Sequence, residues 1–584
     1  MKKLRIGLDN LFFLVKPYWK YGKLYTLGRF ALPLLIAPAL ALLQVRLIQS
    51  VIDTIAAGST MQETIMVAAV LVGSILGLTV IRWAFLLLYD RWKAVDMQTK
   101  INRGIYEQAV KTDYEYFDNP DFYNSFTFAA GELATQSENA LQVLTEIVAA
   151  ISVIITMTAY LSTLGPWIIL ISVIGQAICL FAQRIIQKLG IKRTVESLPF
   201  ERKLNYVHRI AYQKQYAADM KSSDLPHKIL SLFDKNRATK VGIYKKYRIP
   251  HTWANMLQFV AWHLCQFAQL AYLIFCVFVR NLGIGTIAGM FAAADRLNNQ
   301  INSFISIAAR AMEVNLYAEK IKAFYNFKSK IEPSNDGLDP SPSDAFAIEL
   351  HDVSFSYPNA TFALHSINLS IAPGEKIAIV GENGAGKTTL AKLFLRLYDV
   401  DAGEIMYNGT PIHAYNVHKL RHKIGVAFQE SQLYAMTVRE NMELYYPADG
   451  DTLNGILQRV GLDIALDKEV TREFDDSGAM FSGGQAQKLG LTRLLHGEFG
   501  LLLLDEPSSA LDPLAEYEMT KLIFEQSKTT TIMVAHRLST IRDADRIYLI
   551  ADGSVAESGT HDELMGLGGT YAEMFTKQAE KYIQ

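Results

Sequence analysis

Long apolar runs separated by polar, charge-rich stretches dominate the first half of the chain. A helix needs about 20 mostly apolar residues to cross a bilayer, and six segments reach that scale: roughly 25–55, 65–90, 139–162, 165–185, 253–279 and 285–311. The sixth is the weakest by hydropathy, because it holds Asp295, Arg296, Asn298, Asn299, Gln300 and Asn302. Ahead of the first run, residues 10–22 mix aromatics with lysines. They predict a short helix on the membrane surface, with packing against protein as the alternative. Two intervening stretches, about 91–138 and 186–252, are too hydrophilic to face lipid and are expected to continue the spans as helices. Beyond a Pro-, Ser- and Asp-rich stretch at 329–346 the pattern changes. Short β-rich runs (AIELHDVSFSY, KIAIVGE, LLLLDEP, TIMVAH, RIYLIADG) alternate with helical ones, as in a mostly parallel α/β domain.

Charge orients the spans. Residues 183–250 hold sixteen Lys/Arg against five Asp/Glu, whereas the connectors near 56–64, 163–166 and 280–284 are short, with Arg280 as their one basic residue. The positive-inside rule makes the long basic segments and both termini cytoplasmic. Composition agrees with a membrane portion: 50% of residues are hydrophobic and mean hydropathy is +0.13. The net charge of −1 gives no global field for nucleic acid. Cys179, Cys265 and Cys276 lie in apolar runs, which excludes a disulfide framework or zinc site, and also an N-terminal cysteine-peptidase domain. Asp9 and Asn10 interrupt the basic N-terminus, so no signal peptide is expected.

The strongest chemical motif is Gly381-Glu382-Asn383-Gly384-Ala385-Gly386-Lys387-Thr388-Thr389, between the strand KIAIV and the helix TLAKLFLRLY. Glycines there let backbone N–H groups turn inward around phosphate oxygens, and the following helix offers its positive end to the same anion. Lys387 can reach the β- and γ-phosphates, and the Thr388 hydroxyl can ligate Mg²⁺. Downstream, Leu501–Leu504 form a buried strand ending in Asp505 and Glu506. Asp505 would hold Mg²⁺, and Glu506 would orient and deprotonate an attacking water.

Between these motifs stands Phe481-Ser482-Gly483-Gly484-Gln485. With it the chain resembles an ATP-binding cassette (ABC) transporter, whose signature is S-G-G-Q; the family more often has Leu where Phe481 stands. The resemblance covers the whole chain and implies an α-helical six-span transmembrane domain of ABC exporter type fused to an α/β P-loop ATPase domain. It sets the domains at 1–328 for the membrane portion, 329–346 for the linker and 347–584 for the ATPase. It further implies that Tyr357 stacks on adenine, that Gln429 contacts Mg²⁺, that Ser509–Asp512 form the loop crossing between subunits and that His536 senses the γ-phosphate. ATP and Mg²⁺ are the implied cofactors. In this family the signature binds the γ-phosphate on the opposite subunit's P-loop, so a second copy of the chain is the expected partner, and an intact Glu506 favours a homodimer over a heterodimer. Asp113–Asn124 resembles the coupling helix on which the membrane portion meets the ATPase.

Six spans before the ATPase resemble the exporter arrangement; a minority of importers share it. Asp476 stands where multidrug and lipid members usually have Glu, and Pro507-Ser508-Ser509 where they have Ala-Thr-Ser. These features, with the YFDNPDFYN segment, resemble bacterial exporters of modified peptides of the lantibiotic type. The expectation is therefore ATP-driven export of a small modified peptide across a bacterial cytoplasmic membrane. Export or flipping of amphipathic drugs or lipids is the alternative, and a regulator that uses ATP without transport is a further one. In the spans, His263, Gln266 and Gln269 recur every third residue, and Asp295 and Asn299 follow on the last span. Polar groups at membrane depth are costly unless they face a cavity or each other. They are candidates for a polar substrate path, with interhelical hydrogen bonding as the alternative.

Overall fold

The computed structural model describes the chain except residues 1, 164–165, 214–215, 281, 328, 332–336, 342–344, 358–362, 430–431, 508–510, 526–527, 536 and 584. It divides into two compact units, one formed by residues 1–107 and 124–326, the other by 108–123 and 327–584.

The first unit is helical: α1 (Lys2–Tyr21), α2 (Lys23–Ala56), α3 (Met61–Ala84), a π-turn at Phe85–Asp90, α4 (Arg91–Val110), α5 (Pro120–Ser162), α6 (Pro166–Tyr212), α7 (Ala217–Ser222), α8 (Leu225–Arg280) and α9 (Ile284–Tyr325). Among the described residues, five helices are long and apolar enough to cross a membrane, and they include the first five expected spans. The sixth expected span falls on α9 and fails the apolarity test, as its polar residues foretold. Helices are the natural solution here because a bilayer offers backbone groups no other partner. With about 1.5 Å rise per residue, the 56 residues of α8 far exceed what one span needs. The expected continuation of the spans into hydrophilic helices is what α6 and α8 do.

None of the α3 residues is buried, so this helix, apolar along most of the stretch between Glu63 and Arg82, has the surface of a lipid-facing element. By contrast, α2, α5, α6, α8 and α9 share a core around Val45, Met157, Ile168, Leu273 and Leu297. The side chain of Cys265 sits against Gly175, where an added Cβ would lie 2.3 Å from its Sγ. That approach of α6 and α8 requires a residue without a side chain. Helix α1 buries Leu11, Leu14, Val15 and Tyr18 against protein and leaves Phe12 and Trp19 exposed. The helix expected to lie on the membrane surface is thus longer than 10–22 and packed along one face. Where the spans begin, Arg29 bridges Asp90 (2.5 Å) and Glu138 (2.6 Å), and Tyr18 donates to Glu138 (2.7 Å). Asp90 closes the π-turn, so this charge cluster pins α1, α2, α5 and the one irregular turn of the α3–α4 rod.

The second unit holds two sheets. Strands β1 (Ile348–Ser356), β2 (Ala363–Ile371), β4 (Ala402–Tyr407) and β5 (Thr410–Pro411) form an antiparallel sheet in the order β2-β1-β4-β5. Strands β3 (Lys376–Val380), β6 (Ile424–Ala427), β7 (Leu501–Asp505), β8 (Thr530–Val534), β9 (Arg546–Ala551) and β10 (Ser554–Gly559) form the other, in the order β10-β9-β3-β8-β7-β6. All neighbours in it are parallel except β9 and β10. Every residue of β7 and β8 is buried, as strands covered on both faces require. Helix α10 (Lys387–Phe394) follows β3 directly.

Candidate functional site

The carboxyl ends of parallel strands are where such sheets bind ligands, and the phosphate motif lies at the end of β3. Gly381, Gly384 and Gly386 have φ of +152°, +82° and +106°. A Cβ at Gly381 would lie 2.2 Å from the Ile550 carbonyl oxygen, so the loop needs glycine there for conformation and for space. Gly386 then caps α10. The neighbouring strands β7 and β8 set the acids: Asp505 closes β7, and Glu506 follows with φ +49°, its N–H bonded to the Val534 carbonyl (3.0 Å). A left-handed conformation is unusual for a side chain of this size and turns Glu506 out of the strand at the loop.

A cavity of about 720 Å³ opens there, lined by Asn383, Gly384, Gly386, Lys387, Thr388, Thr389, Gln429 and Glu506. Lys387 is 5% exposed and donates to the carbonyls of Gly381 and Glu382, both at 2.9 Å. Burial pulls its ammonium below the usual lysine range, while Glu506 and then Asp505 oppose that shift. The Thr388 hydroxyl donates to Asp505 Oδ1 at 3.5 Å, and Gln429 Nε2 to Glu506 Oε2 at 3.0 Å. A phosphate-sized anion would meet backbone N–H groups, a helix start and a lysine. A hydroxyl, a carboxylate and an amide oxygen nearby are the oxygen donors that Mg²⁺ prefers.

Other residues singled out in the sequence lie elsewhere. Ser482 caps the helix Gly483–Thr492: its hydroxyl accepts from Gln485 N (3.3 Å), and its N–H donates to Gln485 Oε1 (3.0 Å). Ser482, Gly483 and Gln485 are exposed, and none of Ser482–Gln485 lines the cavity of its own chain. Asp512 accepts from the N–H groups of Leu514 and Ala515, which holds its carboxyl below the usual range. His536 and Ser509 lie outside the described residues. Tyr357 is part of an aromatic cluster with Phe355 and Tyr398, and its hydroxyl reaches Thr389 Oγ1 (3.3 Å).

Sequence reasoning missed that cluster's role. Lys392 lies over Tyr114, Tyr357 and Tyr398 at 5.4, 5.6 and 5.8 Å, and the Tyr398 hydroxyl donates to Asp118. The segment resembling a coupling helix therefore packs within the second unit: a 3₁₀ turn at Tyr114–Asp118, with Phe122 fully buried against Phe327 (5.1 Å), Phe117 (5.2 Å) and Tyr116 (5.7 Å). Asp113 anchors it by accepting from the N–H groups of Lys330 (2.6 Å) and Ile331 (3.2 Å). The tyrosine following an apolar helix at 398 was the available signal.

Within the helical unit, Gln269 is buried, donating to Ser172 (2.7 Å) and accepting from Asn298 (3.0 Å). Gln266 and Asn299 instead both donate to Asp295, at 2.8 and 2.9 Å, while His263 is exposed and bonded to the Phe259 carbonyl. Asp295 is thus partnered by two amides, one from α8 and one from its own helix.

Fold and site define a membrane-embedded P-loop ATPase. Residues 364–509 match the ABC transporter family model. The chain is 27% identical over 499 residues to the subtilin transport ATP-binding protein SpaT of Bacillus subtilis, covering 83% of this chain and 80% of that protein. It is 37% identical over 268 residues to an ATP-dependent lipid A-core flippase of Desulfotalea psychrophila, spanning 45% of this chain and about half (46%) of the flippase. A bacterial Atm1-family ABC exporter with ATP bound has the same fold, with a TM-score of 0.73 at 19% identity, over 96% of this chain and 99% of that one. The chain carries an ABC transporter ATPase domain at its C-terminal side and has the fold of a half-size ABC exporter, with ATP hydrolysis coupled to transport.

Proposed function

We propose that this protein exports a small modified peptide across a bacterial cytoplasmic membrane by alternating access. One observation carries the choice of cargo. The match to the subtilin transporter runs over 499 residues, about twice the 238 from position 347 onward, so about half of it falls on the membrane portion. The flippase match, at 268 residues, is close to the length of the ATPase portion alone. Cargo contacts belong to the membrane portion, so the longer match bears on cargo and the shorter one on ATP chemistry. The domains are read as 1–328, 329–346 and 347–584, with both termini cytoplasmic.

In the ATP cycle, Lys387 exchanges its carbonyl partners for the phosphates, with the P-loop from Gly381 to Thr389 around them and Tyr357 against the base. Thr388, Gln429 and Asp505 would hold Mg²⁺, which would supply neutralisation of phosphate charge. Glu506 takes the proton of the attacking water, and His536 contacts the γ-phosphate. Ser482–Gln485 and Asp512 complete the site of a second copy, a role supported by the exposure of Ser482, Gly483, Gln485 and Asp512 and by none of them lining the cavity of their own chain. Proteoliposomes holding the purified protein should show ATP turnover stimulated by a lantibiotic-type modified peptide, with ATP-dependent peptide movement. Stimulation by lipid A-type lipids alone, with peptide inert, would overturn the peptide reading in favour of a flippase.

A further inference from the structure

Below the apolar part of α8, a second cavity of about 580 Å³ lies between α6 and α8. Its walls include Arg193 from α6 and Lys240, Tyr244, Lys245, Arg248 and His251 from α8, with no carboxylate among them. The helical spacing 240, 244, 248, 251 puts these on one stripe. Lys240 is offset by Glu201 at 3.3 Å. Among the described residues, Arg193, Lys245 and Arg248 make no ion pair. The Arg193 guanidinium lies 4.8 Å from the Tyr244 ring, and its Nε is buried without a hydrogen-bond partner. Uncompensated cations gathered at a cavity, with one buried donor unsatisfied, indicate an anionic occupant.

The height of the cavity restricts that occupant. Its upper edge, His251 and Thr252, adjoins the start of the fifth expected span at 253. Immediately above it, Trp253, Met256, Leu257, Phe259 and Val260 are exposed apolar side chains of the same helix. A tryptophan at this level matches the aromatic belt of a bilayer interface. A soluble anion would have no use for the apolar surface, whereas a phospholipid occupies both. We propose that the pocket binds the phosphate headgroup of an anionic phospholipid in the cytoplasmic leaflet, with its acyl chains along the exposed face of α8. Basic pockets between helices on the cytoplasmic side have the chemistry for such headgroups. The proposal rests on the cytoplasmic orientation of 183–250 and not on the nature of the cargo.

Native mass spectrometry of the purified full-length transporter with phosphatidylglycerol and phosphatidylcholine tests it. The unaltered protein should retain phosphatidylglycerol preferentially. Arg193→Gln/Arg248→Gln should weaken that retention roughly tenfold to thirtyfold, since each cation near a headgroup contributes about fivefold. Phosphatidylcholine retention, and ATP turnover in phosphatidylcholine nanodiscs, should not change. Lys245→Gln, a milder change, should cost about fivefold and serves if the double variant does not fold. Lys188→Gln/Lys192→Gln, removing two charges outside the pocket, should have little effect. Equal phosphatidylglycerol retention by the pocket variants, equal loss in the Lys188/Lys192 control, or displacement of the lipid by millimolar inorganic phosphate would overturn the proposal. So would a shift in dimer population with lipid retention unaltered, which would assign the face to a second copy.

Discussion

Removing the Tyr398 hydroxyl tests how the segment 108–123 is held to the ATPase unit. Tyr398 is 3% exposed, and its ring packs near Phe355 and Tyr357, both at 5.3 Å, and Tyr114 at 5.7 Å. Tyr398→Phe keeps those contacts and deletes the bond to Asp118. Burial and then the Asp118 carboxylate push the pKa of this phenol well above the usual tyrosine range, so it remains a donor throughout the working pH range. A hydrogen bond to a charged acceptor contributes about 1.5–3 kcal/mol. Asp118 is exposed and regains water when the bond is lost, so the net loss belongs at or below the lower end, about 1–1.5 kcal/mol. That raises the open fraction of the segment about fivefold to tenfold. Hydrogen exchange of a peptide covering 108–123 should quicken by that factor, with exchange of β7 and β8 unchanged. The same variant should keep basal ATP turnover but lose part of its stimulation by cargo. Unaltered exchange would refute the docking role of this bond. Phe122→Ala provides the scale: a fully buried ring costs about 3–5 kcal/mol on truncation and should release the segment outright, whereas Phe117→Ala, at a 43% exposed position, should do much less.

Further outcomes follow from the ATP site and the spans. Glu506→Gln should lower turnover at least about a hundredfold while ATP still draws two copies together, and near-normal turnover would remove Glu506 as the base. Lys387→Ala should weaken ATP binding measured by titration and leave the dimer open; unaltered affinity would contradict the phosphate role of Lys387. Gln269→Leu should lower the melting temperature, because it strands Ser172 and Asn298, whereas Gln266→Leu should chiefly change cargo stimulation; equal effects on stability would place both in structural roles. Gly175→Ala should destabilise the helical unit by roughly 1–3 kcal/mol, partly restored by Cys265→Gly, as read by thermal unfolding in detergent.

What could be read from the sequence follows from which physical demands leave a periodic or local trace. The first five spans were legible because a bilayer imposes apolarity on every exposed position of a crossing helix. The phosphate loop was legible because Gly381 and Gly386 answer local backbone needs that no other residue meets as well. The sixth span was not legible from apolarity, since its polar residues find partners: Asn298 donates to Gln269, and Asp295 accepts from Gln266 and Asn299. The pairings with Gln269 and Gln266 reach across helices, and nothing local reports them. The same is true of Tyr398 with Asp118, 280 positions apart, and of Lys392 amid three tyrosines. The amphipathic character of α1 was visible, but periodicity alone does not distinguish a lipid interface from a protein one.

The ATP site itself argues that one chain holds only part of the machinery. Lys387 is satisfied by two loop carbonyls, Glu506 by Gln429, and Ser482 by Gln485, so these three groups proposed to contact nucleotide or its water already have partners within the chain. Binding ATP must exchange these bonds, and the exchange is favourable only where phosphate charge replaces neutral acceptors. That condition is met at Lys387 as soon as nucleotide enters. It is met at the exposed Ser482 helix start only when another chain brings its phosphates there. On the proposed two-chain reading, nucleotide binding and chain closure are one equilibrium, and the segment anchored by Asp113 and Tyr398 belongs with the ATPase unit to which it is bonded. Because α4 enters that segment and α5 leaves it, the chain connects the segment by covalent continuity to two helices of the other unit, the route by which the proposed export cycle would pass ATP-driven closure to the spans.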